Sequence, residues 1–156
     1  MPPVVELSSI HKQYPGVYAL NGVDLDLRAG EIHALVGENG AGKSTLIKVL
    51  TGACAYDQGE YRVDGIPARI SEPRDAIRLG ISAVYQELEL VPMLSVAENL
   101  FLGRLPSGRG RVHWSQLHQA AAKILEQVGL SADPSVRVVR LGLAAQQLVE
   151  IGRALS

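Results

Sequence analysis

Nine consecutive residues, Gly37-Glu38-Asn39-Gly40-Ala41-Gly42-Lys43-Ser44-Thr45, of which the first eight fit the pattern G-x-x-x-x-G-K-[ST] with no mismatch, constrain this chain more than any other stretch. A polyphosphate is held by many N–H donors aimed inward, and a backbone can curl that closely only where no Cβ stands in the way. Gly37, Gly40 and Gly42 supply that freedom, with Glu38, Asn39 and Ala41 completing the cradle. Lys43 then reaches the terminal phosphates as a point charge, the Ser44 hydroxyl can ligate Mg²⁺ beside them, and Thr45 adds a second hydroxyl. The flanks agree. Glu31 to Val36 reads as a short buried strand entering the loop, and Lys43 to Leu50 as an apolar helix leaving it, so the amide dipoles at the helix start favour an anion. At average residue usage such a pattern arises by accident in roughly one of a few hundred chains of this length.

The chain has 156 residues, 47% of them hydrophobic, which suffices for one sizeable core and predicts one domain or part of one. Its net charge of −1 gives no basic field to draw it onto nucleic acid or anionic lipid, so no nucleic-acid partner is expected. A single cysteine, Cys54, allows no internal disulfide and suits a reducing compartment. It follows a helix end with no base evident nearby, and reads as passive. The four histidines, His11, His33, His113 and His118, show no metal-ligand spacing. The N-terminus lacks the pattern of a secretory leader and no apolar run approaches a membrane span, so a soluble chain is expected, linked to a membrane only through a partner.

Two antiparallel strands are predicted before the glycine loop: Val4 to Ile10, and Tyr18 to Leu27, where Val23, Leu25 and Leu27 alternate with charged residues. Beyond it, Gly59–Val63 and Ala68–Ile70 flank Asp64-Gly65 as a second hairpin. Ser71-Glu72-Pro73 opens a short helix with Ala76, Ile77 and Leu79 as its apolar face, and Ile81 to Tyr85 follows as a strand. Ser95-Val96-Ala97-Glu98 has capping-box spacing. Residues 105–111 read as a fraying linker, and a helix starts at Ser115 with Trp114 as its hydrophobic staple. A final helix from about Ala144 to Leu155 carries Leu148, Ile151 and Leu155 on one stripe.

The order of the motifs carries more information than any one of them. Tyr14 in Lys12-Gln13-Tyr14-Pro15-Gly16 precedes the glycine loop, Val84-Tyr85-Gln86-Glu87 follows it, and Leu141 to Leu155 comes last. In that order the chain resembles the ATP-binding subunits of ABC transporters over essentially its whole length, and within them the ribose-, galactose- and xylose-type sugar importers. The closer likeness rests on Tyr14-Pro15-Gly16-Val17, Val36-Gly37-Glu38-Asn39, Ser95-Val96-Ala97-Glu98-Asn99 and Gln147-Leu148-Val149-Glu150-Ile151. The resemblance implies an α/β P-loop NTPase fold, an ABC nucleotide-binding domain. Residues 1–94 would form its antiparallel β subdomain and P-loop core, and residues 95–156 its helical subdomain and signature helix. It further implies ATP and Mg²⁺ as ligands. Tyr14 would stack on adenine, a contact worth about 1–3 kcal/mol in comparable base stacking. Gln86 would approach Mg²⁺ or the attacking water, and Lys43 with Gln86 would serve hydrolysis.

The implied partners are transmembrane permease subunits, a second nucleotide-binding domain in tandem or as a dimer, and, indirectly, a periplasmic sugar-binding protein. The implied location is the cytoplasmic face of the plasma membrane, as a peripheral subunit. Two departures from the family pattern stand out. Where these importers have Leu-Ser-Val-Gly-Gln, this chain has Leu141-Gly142-Leu143-Ala144-Ala145, which lacks a serine hydroxyl and a glycine at the phosphate-facing positions. The family's Walker B strand, catalytic glutamate and switch histidine also lie beyond Ser156. From this a chain truncated before Walker B is expected, binding nucleotide weakly and hydrolysing it little.

Overall fold

The computed structural model describes residues 2–85, 87–108 and 111–156. The chain divides into two compact units, residues 1–82 and 83–156.

The first unit is built on an antiparallel sheet of β1 (Val5–Tyr14), β2 (Val17–Leu27), β3 (Gln58–Val63) and β4 (Ile66–Pro67), in the order β2-β1-β3-β4. The long β1–β2 pairing starts at the Tyr14–Val17 turn and runs out to Val5 opposite Leu27. A bulge at Ser9 interrupts it, and the Asp24 carboxylate accepts the Ser9 N–H at 2.6 Å, so the unpaired amide is satisfied by a neighbouring strand's side chain. The alternation expected in β2 is present: Val23, Leu25 and Leu27 turn toward the core while Asp24 and Asp26 are exposed. Asp64 and Gly65 both have positive φ, the conformation of a two-residue hairpin turn, but the returning strand starts at once, at Ile66–Pro67, with the Ala68 N–H donating to the Tyr61 carbonyl of β3 at 2.8 Å.

Helix α1 (Lys43–Leu50) lays Leu46, Val49 and Leu50 on this sheet, against Leu7, Ile10, Leu20 and Tyr61. Tyr61 is almost fully buried and its hydroxyl donates to the Leu50 carbonyl at 3.1 Å, tying the end of α1 to β3. Helix α2 (Pro73–Arg78) starts as expected, with proline in its first turn and a Glu72–Asp75 capping box. Of its predicted apolar face only Ala76 is buried, and Ile77 and Leu79 are exposed.

Two expected strands do not form. Residues 31–36 and 81–85 belong to no ladder, and Ile32 and Val36 are 100% and 89% exposed. Their sequences have strand character. A strand, however, exists only through the N–H and C=O partners of a neighbour, and no described strand lies alongside either segment.

The second unit packs α3 (Val96–Leu100), α4 (Trp114–Gln127) and α5 (Leu143–Leu155) around Leu100, Leu117, Ala121, Leu125, Val138 and Val149. Ser95 caps α3 in the expected capping box: Ser95 Oγ accepts from Glu98 N–H, and the Glu98 carboxylate accepts from Ser95 N–H at 2.8 Å. Asn99 is fully buried and satisfied, accepting from Val91 N–H at 2.7 Å and donating to the Val91 and Ser95 carbonyls.

Three expectations are corrected here. Of the expected fraying linker, the described residues are ordered into structure, since β5 (Ser107–Gly108) pairs with β6 (Arg111–Val112) and Leu105 packs on the core. Trp114 is the first residue of α4 rather than a staple before it, half-exposed and tilted against the His118 ring. In α5, Ile151 and Leu155 face outward while Val149 and Gly152 face in. A Cβ on Gly152 would meet Ile124 and Leu100 at 3.0 Å, so the close helix approach selects the smallest residue, not the largest, for the inner face.

Candidate functional site

The glycine loop lies in the first unit, between the unpaired residues 31–36 and α1. Gly40 and Gly42 have φ of +87° and +85°, where an L side chain is strained, and Gly42 is the N-cap of α1. A Cβ on Gly42 would stand 2.4 Å from the Ala19 carbonyl oxygen of β2, so here the loop is pressed directly onto the sheet backbone. Gly37 differs: its φ is not positive, and an added Cβ would only touch Ala41 and Lys43 at 3.4 and 3.8 Å. The conformational freedom ascribed to all three glycines is therefore used at two.

The Ala41 N–H donates to the Glu38 carbonyl at 3.2 Å, closing the turn around Asn39 and Gly40. The first helical bond runs from Leu46 N to the Gly42 carbonyl, so the amides of Lys43, Ser44 and Thr45 precede the intrahelical ladder and are the donors a helix start presents to an anion. Lys43 Nζ donates to the Gly37 and Glu38 carbonyls at 2.6 and 2.7 Å. Its ammonium thus lies across the mouth of the curl. Ser44 is exposed and Thr45 half-buried. An unhindered cradle at Gly40, a helix start and a converging cation form a donor set suited to a magnesium-bound polyphosphate.

Tyr14 ends β1 in the same unit, 41% exposed. Its hydroxyl lies 3.3 Å from Cys54 Sγ, and Lys12 Nζ lies over its ring, 5.6 Å from the centroid. Lys12 in turn donates to Asp57 Oδ1 at 2.8 Å, and Asp57 Oδ2 accepts the Gln13 N–H at 2.7 Å. These contacts leave marks on the titrating groups: Lys12 raises its own affinity for protons by bonding Asp57, the Asp57 carboxyl is held below its ordinary range first by Lys12 and then by the Gln13 amide, and the Cys54 contact pushes the Tyr14 phenol up. Sequence reasoning missed Lys12, Cys54 and Asp57. Cys54 and Asp57 lie 40 or more residues from their partners Tyr14 and Lys12 along the chain and meet them only because β3 pairs with β1; an aspartate shortly after a helix end is too common to signal it.

Gln86 lies outside the described residues. In the second unit, Gly142 is the N-cap of α5 in extended conformation, with nothing within 4 Å of where its Cβ would be. The missing serine is thus no steric requirement. Gln146 Nε2 donates to the Leu141 carbonyl at 2.9 Å, closing the turn that holds residues 141–145.

Residues 20–156 match the family described as ABC transporter. Ribose import ATP-binding protein RbsA 1 of Rubrobacter xylanophilus is 52% identical over 155 residues, covering 99% of this chain and 31% of the relative. The protein of the same description from Streptomyces avermitilis is 50% identical, covering 98% of this chain and 29% of its own length. The chain therefore spans about a third of the length of the curated relatives it matches. Among solved structures, the ADP conformation of MJ1267, an ATP-binding cassette of an ABC transporter, superposes with a TM-score of 0.81 at 29% identity, covering 99% of this chain and 65% of the other. A nucleotide-free ATP-binding cassette from an ABC transporter gives 0.78, also at 29% identity, covering 98% of this chain and 64% of the other.

Proposed function

The chain belongs to the ABC transporter family, and from that premise we propose that it supplies the ATP-binding, energy-coupling element of a sugar importer. The observation that carries this reading is the loop itself: Lys43 converging on the Gly37 and Glu38 carbonyls at the start of α1, over a glycine cradle pressed against β2. The sugar assignment is supported by two relatives at about half identity whose names are ribose import ATP-binding proteins.

In this reading the backbone of residues 37–45 holds the phosphates, with Lys43 exchanging its two carbonyl contacts for phosphate oxygens and Ser44 ligating Mg²⁺. Tyr14 offers its ring to the adenine, and Gln86 approaches the metal or water. Bound ATP supplies the free energy that closes two such domains upon one another. The partners are transmembrane permease subunits at the cytoplasmic face of the membrane, a second nucleotide-binding domain, and through the permease a periplasmic sugar-binding protein. Gly142, Ala144 and Ala145 favour a variant of this reading in which the signature segment binds nucleotide well and supports slow hydrolysis.

The test is titration of the chain with Mg-ATP. Charge-assisted contacts of this kind are worth about 1.5–3 kcal/mol, so Lys43→Ala is expected to weaken binding about 10- to 150-fold. Its fold should be retained, because the carbonyls it releases are exposed to water. Unchanged affinity would remove the assignment of the loop.

A further inference from the structure

Tyr14 is joined to the phosphate loop by more than the strand it ends. Asp57 bonds three consecutive residues ahead of it: its N–H donates to the His11 carbonyl at 2.8 Å, its Oδ1 accepts from Lys12 Nζ at 2.8 Å, and its Oδ2 accepts from the Gln13 N–H at 2.7 Å. Cys54 reaches both ends of the connection, its N–H donating to the Lys48 carbonyl in α1 at 3.1 Å and its Sγ lying 3.3 Å from the Tyr14 hydroxyl. The segment 54–57 therefore runs from the helix that begins at Lys43 to the aromatic ring that ends β1.

Lys12 adds a directional constraint. Its ammonium lies over one face of the ring and is held there by Asp57, so a flat ligand stacking on Tyr14 would take the opposite face.

We propose that residues 54–57 act as a positioning strut for nucleotide recognition, with Asp57 and Cys54 fixing the Tyr14 ring at a set distance and facing relative to the phosphate loop. The inference rests on the reading that Tyr14 stacks on the base. The Lys12–Asp57 pair is partly exposed, with the Asp57 side chain open to solvent, and a pair screened in this way contributes little to folding, so its effect lies in geometry. The strut serves the base end of the ligand alone: its hydrogen bonds go to residues 11–14 and to Lys48, and a ring released from it spends only part of its time in the stacking pose. If that fraction falls to between a tenth and a third, the affinity for ATP falls about 3- to 10-fold.

The experiment compares Mg-ATP with magnesium-bound inorganic tripolyphosphate, which has phosphates and no base, by calorimetric titration of the full chain. Tyr14→Ala is expected to weaken ATP about 5- to 150-fold, the loss of one stacking contact, and to leave tripolyphosphate unchanged. Asp57→Ala is expected to weaken ATP about 3- to 10-fold and to leave tripolyphosphate unchanged. Asp57→Asn, which keeps an acceptor for Gln13 N–H, should recover part of the loss, and Cys54→Ser should behave as wild type where Cys54→Ala does not.

In a Tyr14→Ala background Asp57→Ala should cost nothing further. The strut is refuted if Asp57→Ala leaves ATP affinity intact, if it weakens tripolyphosphate equally, or if its effect persists without Tyr14. A Tyr14→Ala chain that binds ATP normally would instead refute the stacking on which the strut depends.

Discussion

Replacing Gly42 with alanine tests the loop at its tightest point, and a matched replacement at Gly40 separates the two physical costs involved. Both residues have φ near +86°, a left-handed conformation that costs an L residue about 1–2 kcal/mol. Nothing lies within 4 Å of a Cβ at Gly40, so Gly40→Ala bears only that cost. At Gly42 the new methyl would sit 2.4 Å from the Ala19 carbonyl oxygen and 3.1 Å from Leu20 Cδ2. Ala19 belongs to β2, so relief requires the helix start or the strand to move by about 1 Å, an overpacking cost of about 1–3 kcal/mol. Gly42→Ala should therefore lose about 2–5 kcal/mol in all, a sizeable part of the stability of an ordinary domain. Urea unfolding followed by circular dichroism reads the difference as a shift in midpoint at unchanged slope. Equal destabilisation by the two variants would mean that the loop does not press on β2.

Three further effects follow from buried or capped groups. Burial, reinforced by the nearby Tyr56, pushes the Tyr61 phenol up to about 12. The unfolded chain thus ionises first, and stability, full below pH 10, should fall by roughly 2–3 kcal/mol as pH rises toward 12. Tyr61→Phe should abolish that alkaline loss in a pH series of denaturation curves. Ser95→Ala removes the α3 cap and should cost about 1 kcal/mol. Because the Ser95 hydroxyl and amide hold the Glu98 carboxyl below its ordinary range, this contribution is present above pH 4.5 and lost as acid titrates Glu98, which an acid thermal-melt series would detect. Glu150 is buried with one oxygen on Arg153 and the other without a protein partner among the described residues, while Arg153 also bonds the Glu89 carbonyl and carboxylate. Arg153→Ala, which strands a buried carboxylate, should cost about 2–4 kcal/mol in melting experiments; Glu150→Gln, which leaves Arg153 its Glu89 contacts, should cost less than about 1.

What the sequence made legible is what is decided locally. The glycine loop, the α1 boundaries, the Asp64-Gly65 turn and the Ser95–Glu98 cap each depend on residues a few positions apart, and each stands where its pattern puts it, whereas β1, expected to end at Ile10, runs on to Tyr14 along β2. The misses depend on what lies alongside. Residues 31–36 and 81–85 have the composition of strands, but composition cannot supply the neighbouring backbone that makes one. The inner face of α5 departs from its hydrophobic stripe for a related reason. Hydrophobic periodicity weighs Ile151 and Leu155 by size, whereas the helices approach closely enough at Ile124 and Leu100 that only Gly152 fits between them.

The same distinction separates the two ends of the candidate nucleotide site. Its phosphate end is written in nine adjacent residues, because a loop and a helix start provide all the donors themselves. The base end is assembled from Lys12, Tyr14, Cys54 and Asp57, which the pairing of β1 with β3 brings together across 40 or more positions. Tyr14 could be recognised from the order of motifs around it, since an aromatic at a strand end keeps a fixed place in that order. What holds Tyr14 could not, because a side chain that orients another has no fixed spacing and leaves only an unremarked aspartate and a lone cysteine in the sequence. For a ligand with a charged end and a flat end, grip can therefore be read before structure, and alignment only after it.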